Sequence, residues 1–171
     1  MRRVLSLVFE IMLCFLLQTV VFPFLDIGGI TPNILLILTV ATAYMQGQEK
    51  GLYMGLICGI IVDLIGGGLI GLYGIVYMAI GYVNGIAYKI YYHDDYVMPV
   101  FLIGLSNLFS GFMVYVFEFL LRGKLNLLFY ARRIILPEML YTVMVSIILY
   151  KLLNTIHHRL DHWVKKEVSD V

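Results

Sequence analysis

The chain of 171 residues is 61% hydrophobic and 13% charged, with a formal net charge of +1. Soluble domains carry roughly twice that share of charged residues, so the composition indicates a polytopic membrane protein with a single integral membrane domain. A net charge so close to zero gives no indication of nucleic-acid binding, and the longest polar segments are too short to fold as a separate domain.

Six apolar runs predict about six transmembrane helices, and therefore an all-α membrane protein. Their predicted bounds are 4–25, 32–46, 52–65, 69–92, 97–121 and 134–153, and residues 154–171 form a cytoplasmic tail. The second and third runs are shorter than the roughly 20 residues that a full crossing needs. Either flanking residues in the membrane interfaces complete the two crossings, or the two runs form a re-entrant hairpin. Both arrangements leave the direction of the later spans unchanged.

The first span follows two arginines and is too long for the apolar region of a signal peptide, so we expect it to be retained. Ser6, Glu10, Cys14 and Gln18 are spaced four residues apart on it. This spacing predicts a polar stripe that faces the protein interior, unless Glu10, near the start of the span, extends to the interface instead. Cys14 and Cys58 both lie in apolar runs and are expected to act as small hydrophobic residues.

Residues 51–85 hold ten of the sixteen glycines. Gly51, Gly55 and Gly59 are four residues apart, and the next step of four reaches Asp63. On a helix such positions form one ridge, and in a membrane a ridge without side chains lets a second helix approach closely. Asp63 lies on this ridge, so we expect it to face a protein neighbour rather than lipid. The ridge serves either ordinary packing between two neighbouring helices or, together with Asp63, as the functional surface of the protein, and the two roles are compatible.

Further glycines predict a hairpin between the third and fourth spans. The run of Gly66, Gly67 and Gly68 is expected to end the third span, and the segment from Gly71 to Gly74 to begin the fourth. The glycines that continue the close packing on the fourth span are Gly81 and Gly85.

The fifth span carries mostly small and polar residues at spacings of three and four, which places them on one helical face. They are Gly104, Asn107, Gly111, Val114 and Glu118. Glu118 either belongs to that face or lies at the interface beside Arg122.

Pro137 and Glu138 are expected to open or kink the sixth span. A carboxylate in the first turn of a helix is stabilised by the helix dipole, which gives Glu138 a structural explanation. Four basic residues surround an apolar centre in segment 122–133, which predicts a segment lying on the membrane surface. In the tail, His158 and His162 are one turn apart but have no third firm ligand, so we expect a juxtamembrane helix rather than a metal site.

The basic residues divide unequally between the two sides of the membrane. With the amino terminus in the cytoplasm, eight lysines and arginines fall on the cytoplasmic side and four on the outer side. This distribution follows the positive-inside rule and predicts that both termini are cytoplasmic. The four outer basic residues all lie in segment 122–133, which suggests that a partner binds there.

The sequence contains no Ser-His or Cys-His arrangement, no metalloprotease motif and no phosphate-binding loop. The carboxylates in the apolar spans are Glu10, Asp63, Glu118 and Glu138. They have no cationic partners within the membrane, which argues against a proton relay. We therefore expect a non-enzymatic protein without a cofactor or a metal.

The order of these features resembles the rod shape-determining protein MreD family of bacteria, over the whole chain. The residues that carry the resemblance are Pro32-Asn33, Gly55-x-x-x-Gly59-x-x-x-Asp63, Gly66 to Gly68, Gly71-Leu72-Tyr73-Gly74, Gly81-Tyr82 and Pro137-Glu138. The sequence departs from the family pattern at the glycine turn, where a more polar turn is expected, and at Thr142, where asparagine is expected.

The resemblance implies a non-enzymatic scaffold of the cell-elongation machinery in the bacterial inner membrane, which helps to organise peptidoglycan synthesis and rod shape. Its implied partners are the bitopic membrane protein MreC, the SEDS glycosyltransferase with its class B penicillin-binding protein, and the actin-like MreB, with self-association as a further option. Our candidate residues for such contacts are Gly55, Gly59, Asp63, Gly66, Gly67, Gly68, Gly71, Gly74, Glu118, Pro137 and Glu138.

Two other functions are compatible with the sequence. The fold also resembles the six-helix substrate-binding subunit of energy-coupling-factor transporters, which implies capture of a vitamin-like small molecule; a proton-coupled transporter is the third option. A substrate pocket needs several convergent polar groups. The candidate outer loops, 26–31 and 66–70, are nearly apolar and rich in glycine, which favours a packing surface.

Overall fold

The computed structural model describes residues 2–24, 29–66, 71–90, 97–120 and 127–169, with side chains over 7–24, 29–66, 71–88, 97–117 and 129–155. These residues are almost entirely helical and include no strand. The α-helices are α1 Arg2–Leu16, α2 Ile34–Gln46, α3 Gln48–Gly66, α4 Leu72–Gly85, α5 Val97–Val114, α6 Leu127–Tyr130 and α7 Leu136–Ser169. The predicted all-α membrane fold is thereby confirmed.

Several α-helices continue in other helical forms. π-Helical turns extend α1 at Leu17–Val21 and α5 at Tyr115–Leu120, and a third at Ala131–Ile135 joins α6 to α7. Shorter 3-10 segments follow at Phe22–Phe24 and Ile86–Ile90. The described residues therefore form six continuous helices, which agrees with the six predicted runs.

Helix α2 is the centre of the bundle. All of its residues from Ile34 to Met45 are buried, and it contacts α1, α3, α4, α5 and α7. A helix that is apolar on every side is stable in a folded protein when other elements surround it. With 13 residues it is about 20 Å long, shorter than the roughly 30 Å hydrocarbon core of a bilayer. Protein, rather than lipid, therefore surrounds α2.

The other helices present apolar surfaces outward. Among the described residues, three helical stretches are long and apolar enough to cross a membrane, namely Leu7–Phe24, Val97–Phe117 and Ala131–Thr155. Ile34–Gln46 and Leu72–Tyr88 are apolar but shorter. Large exposed hydrophobic side chains cover α1, α3, α4, α5 and α7, as is expected where helices meet lipid. The division of the chain into six complete crossings stays a prediction.

Pro137 follows a π-helical turn inside a continuous helix. It therefore does not open the last span, whereas the alternative expectation, a kink at this position, stays a prediction. The helix begins ten residues earlier, at Leu127. Proline lacks the N–H that would bond the carbonyl one turn before it, and irregular turns such as Ala131–Ile135 occur where the regular bonding of a helix is interrupted. The unpaired N–H groups of the helix start thus lie about three turns from Glu138, so the helix dipole does not explain this carboxylate.

Candidate functional site

Polar side chains from several helices meet at one end of the bundle, which we call the polar end. It is the end at which α2 and α4 begin and at which the three π-helical turns lie. There, the N–H of Leu35 donates to Oε1 of Gln18 at 3.0 Å, and the N–H of Asn33 donates to Oγ1 of Thr142 at 3.1 Å. π-Helical turns are rare and occur frequently at functional sites. The polar end is therefore the candidate functional site.

Asp63 binds the start of the next helix. Its Oδ2 accepts hydrogen bonds from the N–H groups of Gly71, at 3.0 Å, and Gly74, at 2.9 Å. Its Oδ1 accepts from the N–H of Tyr73 at 3.1 Å. The side chain is 4% exposed. Asp63 thus faces a protein neighbour, as the ridge predicts, and that neighbour is the following helix of the same chain.

The chemistry of this contact explains how a carboxylate is tolerated at a buried site. The first N–H groups of a helix have no partner within the helix, and they form its positive end. One carboxylate satisfies three of these donors at the start of α4 and places a negative charge against the positive end of the helix. Gly71 precedes α4 with a φ of +98°, in the left-handed region that glycine adopts without strain. The contact therefore closes the α3–α4 hairpin.

The glycine ridge lets α3 and α4 approach until their backbones touch. A Cβ atom on Gly55 would overlap the carbonyl group of Tyr77, and one on Gly59 would overlap the carbonyl group of Tyr73. Gly51 meets the backbone of α4 in the same way. Because the opposing atoms belong to the backbone, a side chain on the ridge forces the helices apart.

The other predicted glycines serve different purposes. Gly66 ends α3, as predicted, and a Cβ atom on it would meet none of the described residues within 4 Å. A Cβ atom on Gly74 would make only ordinary contacts, so the backbone N–H of this residue matters more than its lack of a side chain. Gly67 and Gly68 lie outside the described residues.

Glu138 and Asn107 join α7 to α5 at the polar end. The side-chain amide of Asn107 donates a hydrogen bond to the carboxylate of Glu138. Asn107 is 2% exposed, whereas Glu138 is half-buried. The predicted face of α5 thus packs on α7, and a Cβ atom on Gly104 would be 3.1 Å from Val143.

Tyr77 lies beside the start of α2. It is fully buried on α4, with the side chain of Asn33 beside its hydroxyl group and the carboxylate of Glu138 close enough to interact electrostatically. Asn33 itself accepts a hydrogen bond from the N–H of Leu36 at 3.2 Å, which caps α2.

Glu10, Cys14 and Gln18 of the polar stripe on α1 face inward, as predicted, whereas the side chain of Ser6 lies outside the described residues. Glu10 is 2% exposed, so the alternative in which it reaches the interface is wrong, and Gln18 bonds α2. Cys14 and Cys58 are buried free thiols. A mainly apolar cavity of about 200 Å³ separates α1 from α7, and its lining residues are Phe9, Glu10, Leu13, Cys14, Leu149, Leu152 and Leu153.

Two other predicted features are only partly described. The backbone of Glu118 belongs to the π-helical turn that extends α5, whereas its side chain lies outside the described residues, so both of its predicted locations stay open. In segment 122–133, Arg132 and Arg133 are exposed, and the guanidinium of Arg133 lies 5.5 Å from the ring centroid of Phe129.

Comparisons with known proteins identify the family. No curated protein and no solved structure matches the chain significantly. The family model of rod shape-determining protein MreD matches residues 1–157. The chain belongs to the MreD family. It is therefore a membrane component of the system that determines rod shape.

Several residues that carried the resemblance to MreD lie at or next to the polar end. Asn33 caps α2, Asp63 binds α4, and Glu138 meets Asn107. Tyr77 is a member of the site that the sequence analysis missed. Its signal was present, since Tyr77 follows Tyr73 by one turn on a span rich in small residues. Across the described residues, no group of three or more His, Cys, Asp or Glu side chains is arranged to hold a metal ion.

Proposed function

We propose that this MreD protein is a non-enzymatic scaffold of the cell-elongation machinery in the bacterial inner membrane. It binds an MreC-like bitopic protein and helps to organise peptidoglycan synthesis by the SEDS glycosyltransferase and its class B penicillin-binding protein, in connection with actin-like MreB. The observation that supports the proposal is the set of three hydrogen bonds that Asp63 of α3 accepts from the start of α4. A carboxylate that ligates three backbone N–H groups holds two helices together, which suits a scaffold better than a proton path.

Binding of an MreC-like partner is the direct test. Affinity-tagged protein, extracted from its own membranes in mild detergent, is expected to retain the bitopic partner, identified by mass spectrometry. The Gly66→Ala variant is a matched control, because its added methyl group meets no atom of the described residues within 4 Å, and it should retain the partner equally well. Loss of the partner together with saturable binding of a vitamin-like molecule would instead support a transporter subunit.

Both termini are expected to lie in the cytoplasm, because eight of the twelve lysines and arginines fall on that side. Single cysteines replacing Lys166 and Arg132 should therefore react with a membrane-impermeant maleimide from opposite sides of intact cells. The native Cys14 and Cys58 are 1% and 0% exposed, so the unmodified protein provides a low background. Labelling of both introduced cysteines from outside would contradict this topology.

A further inference from the structure

Two exposed arginines lie at one end of the apolar stretch Ala131–Thr155, which is long enough to cross a membrane. Arg132 and Arg133 belong to the π-helical turn Ala131–Ile135, and both are exposed. Lys151 is exposed near the other end, eighteen residues after Arg133. This separation along a helix is about 27 Å, close to the roughly 30 Å thickness of the hydrocarbon core. A helix that crosses the bilayer along this stretch therefore places the two arginines at the level of the lipid headgroups.

The guanidinium group of Arg133 is held in position by its neighbours. It lies 5.5 Å from the ring centroid of Phe129, within the range of a cation–π interaction. The backbone on both sides of it is fixed, because the ring of Tyr130 lies 5.2 Å from that of Tyr115 on the extension of α5 and Ile135 is buried. These contacts restrict the arginine before a ligand arrives, so less conformational entropy is lost on binding.

Large apolar side chains continue from Arg133 along the same face of the helix. Leu136, Leu140 and Met144 follow it at spacings of three, four and four, and they are 44%, 59% and 69% exposed. We call these three residues the apolar stripe. Contacts between membrane helices usually involve small residues that let the backbones approach, as on the glycine ridge of α3. Because the side chains of the apolar stripe are large, flexible acyl chains cover it more readily than a second helix does.

The arginines and the apolar stripe together determine the chemistry of the ligand. A guanidinium group binds phosphate through two parallel charge-assisted hydrogen bonds, and a phosphate group joined to acyl chains is a phospholipid. A zwitterionic headgroup also carries a cation, which two arginines repel, so a net negative headgroup is favoured.

We propose that Arg133, with Arg132 beside it, binds the phosphate group of an anionic phospholipid whose acyl chains lie along the apolar stripe. The site is independent of the scaffold proposal, since its ligand is a lipid rather than a protein partner.

Lipid binding is measured by native mass spectrometry of the full-length protein, which is delipidated in detergent and titrated with phosphatidylglycerol. Arg133→Gln removes the charge-assisted hydrogen bonds to phosphate and should lower the affinity about tenfold or more. Lys151→Gln is the matched control, because it makes the same change in charge at the other end of the stretch, and it should lower the affinity by about twofold or less. An equal loss in both variants would indicate attraction by net charge alone, and no loss in Arg133→Gln would exclude this residue. Either result would overturn the proposal.

Two conservative variants test the geometry of the site rather than its charge. Arg133→Lys keeps the positive charge but loses the planar fork that binds two phosphate oxygens, so its affinity should lie between those of the parent and Arg133→Gln. Phe129→Leu removes the cation–π interaction and should lower the affinity about two- to fivefold. Parental affinity in both variants would contradict a preorganised arginine.

The source of the phosphate is distinguished by competition. Inorganic phosphate carries the charge without acyl chains, so it should displace phosphatidylglycerol only weakly. Displacement by inorganic phosphate at the same concentrations as by phosphatidylglycerol itself would replace the lipid with a free phosphate and overturn the proposal.

A protein ligand is distinguished by affinity pull-down of the MreC-like partner from Arg133→Gln membranes. The variant should retain the partner as the parent does. Loss of the partner with unchanged binding of phosphatidylglycerol would assign the arginines to a protein contact and overturn the lipid site. A failure of the scaffold proposal, by contrast, would leave the binding of phosphatidylglycerol unchanged in the parent and reduced in Arg133→Gln.

Discussion

Gly55→Ala is expected to destabilise the protein strongly, although it adds only one methyl group. The new Cβ atom would overlap the carbonyl group of Tyr77 on α4, and a backbone carbonyl cannot rotate away as a side chain can. Helices α3 and α4 would have to separate, which exceeds ordinary overpacking of about 1–3 kcal/mol. We expect a loss of melting temperature of about 5 °C or more, reduced yield of folded protein in detergent, and loss of rod-shape complementation.

Gly66→Ala is the matched control for this prediction. Gly66 is at the end of the same helix, where a Cβ atom meets none of the residues that the structure describes within 4 Å and where φ is not positive. Alanine is favoured over glycine in helices by up to about 1 kcal/mol, so this variant should be neutral or slightly more stable. Similar behaviour of Gly55→Ala and Gly66→Ala would show that the ridge of α3 does not pack against α4.

The hairpin between α3 and α4 was largely predictable from the sequence, because it depends on local spacing. Glycines four residues apart place bare backbone on one face whatever the rest of the chain does. The position of Asp63 on that face follows from the same spacing. The hydrogen-bond partners of Asp63 do not follow from the spacing, because the three N–H groups meet this carboxylate only where the chain turns back at Gly71.

The central position of α2 was less accessible to sequence reasoning. Its run of 13 residues is short for a crossing, so length alone left open a re-entrant hairpin. The more informative feature is that apolar residues cover every side of the helix, including the positions around Thr39 and Thr42, since such a helix must be surrounded by others. The sequence pattern contained this signal, and the neighbours of α2 required the tertiary structure.

The contacts of Pro137, Glu138 and Asn107 could not be derived from spacing. Proline near the start of an apolar run usually marks a helix start, but here helical residues precede it from Leu127 onward. Asn107 is thirty-one residues from Glu138, and a hydrogen bond between them depends on how α5 and α7 are aligned. Long-range alignment of this kind comes from packing, as shown by the close approach of Gly104 to Val143.

Asp63→Leu is expected to prevent assembly of the α3–α4 hairpin. The substitution leaves the N–H groups of Gly71, Tyr73 and Gly74 without their acceptor at a buried site. Each unsatisfied donor destabilises by about 1–3 kcal/mol, so the loss is comparable with the whole stability of a typical domain of about 5–15 kcal/mol. Little folded protein should be recovered, and the MreC-like partner should be absent from pull-downs.

Asp63→Asn separates a structural carboxylate from a proton relay. An asparagine oxygen in the place of Oδ2 keeps the bonds from Gly71 and Gly74, but its amide group then opposes the N–H of Tyr73, since both are donors. The negative charge at the helix start is also lost. We therefore expect intermediate stability, partner binding that survives at reduced temperature, and partial rod shape.

A proton relay predicts a different pattern, in which Asp63→Asn and Asp63→Leu both assemble with the partner and both fail to support rod growth. Pull-down and cell shape, measured on the same two variants, distinguish these mechanisms. If the carboxylate is structural, rod shape is lost to the same extent as partner binding; if it relays protons, rod shape is lost while partner binding remains.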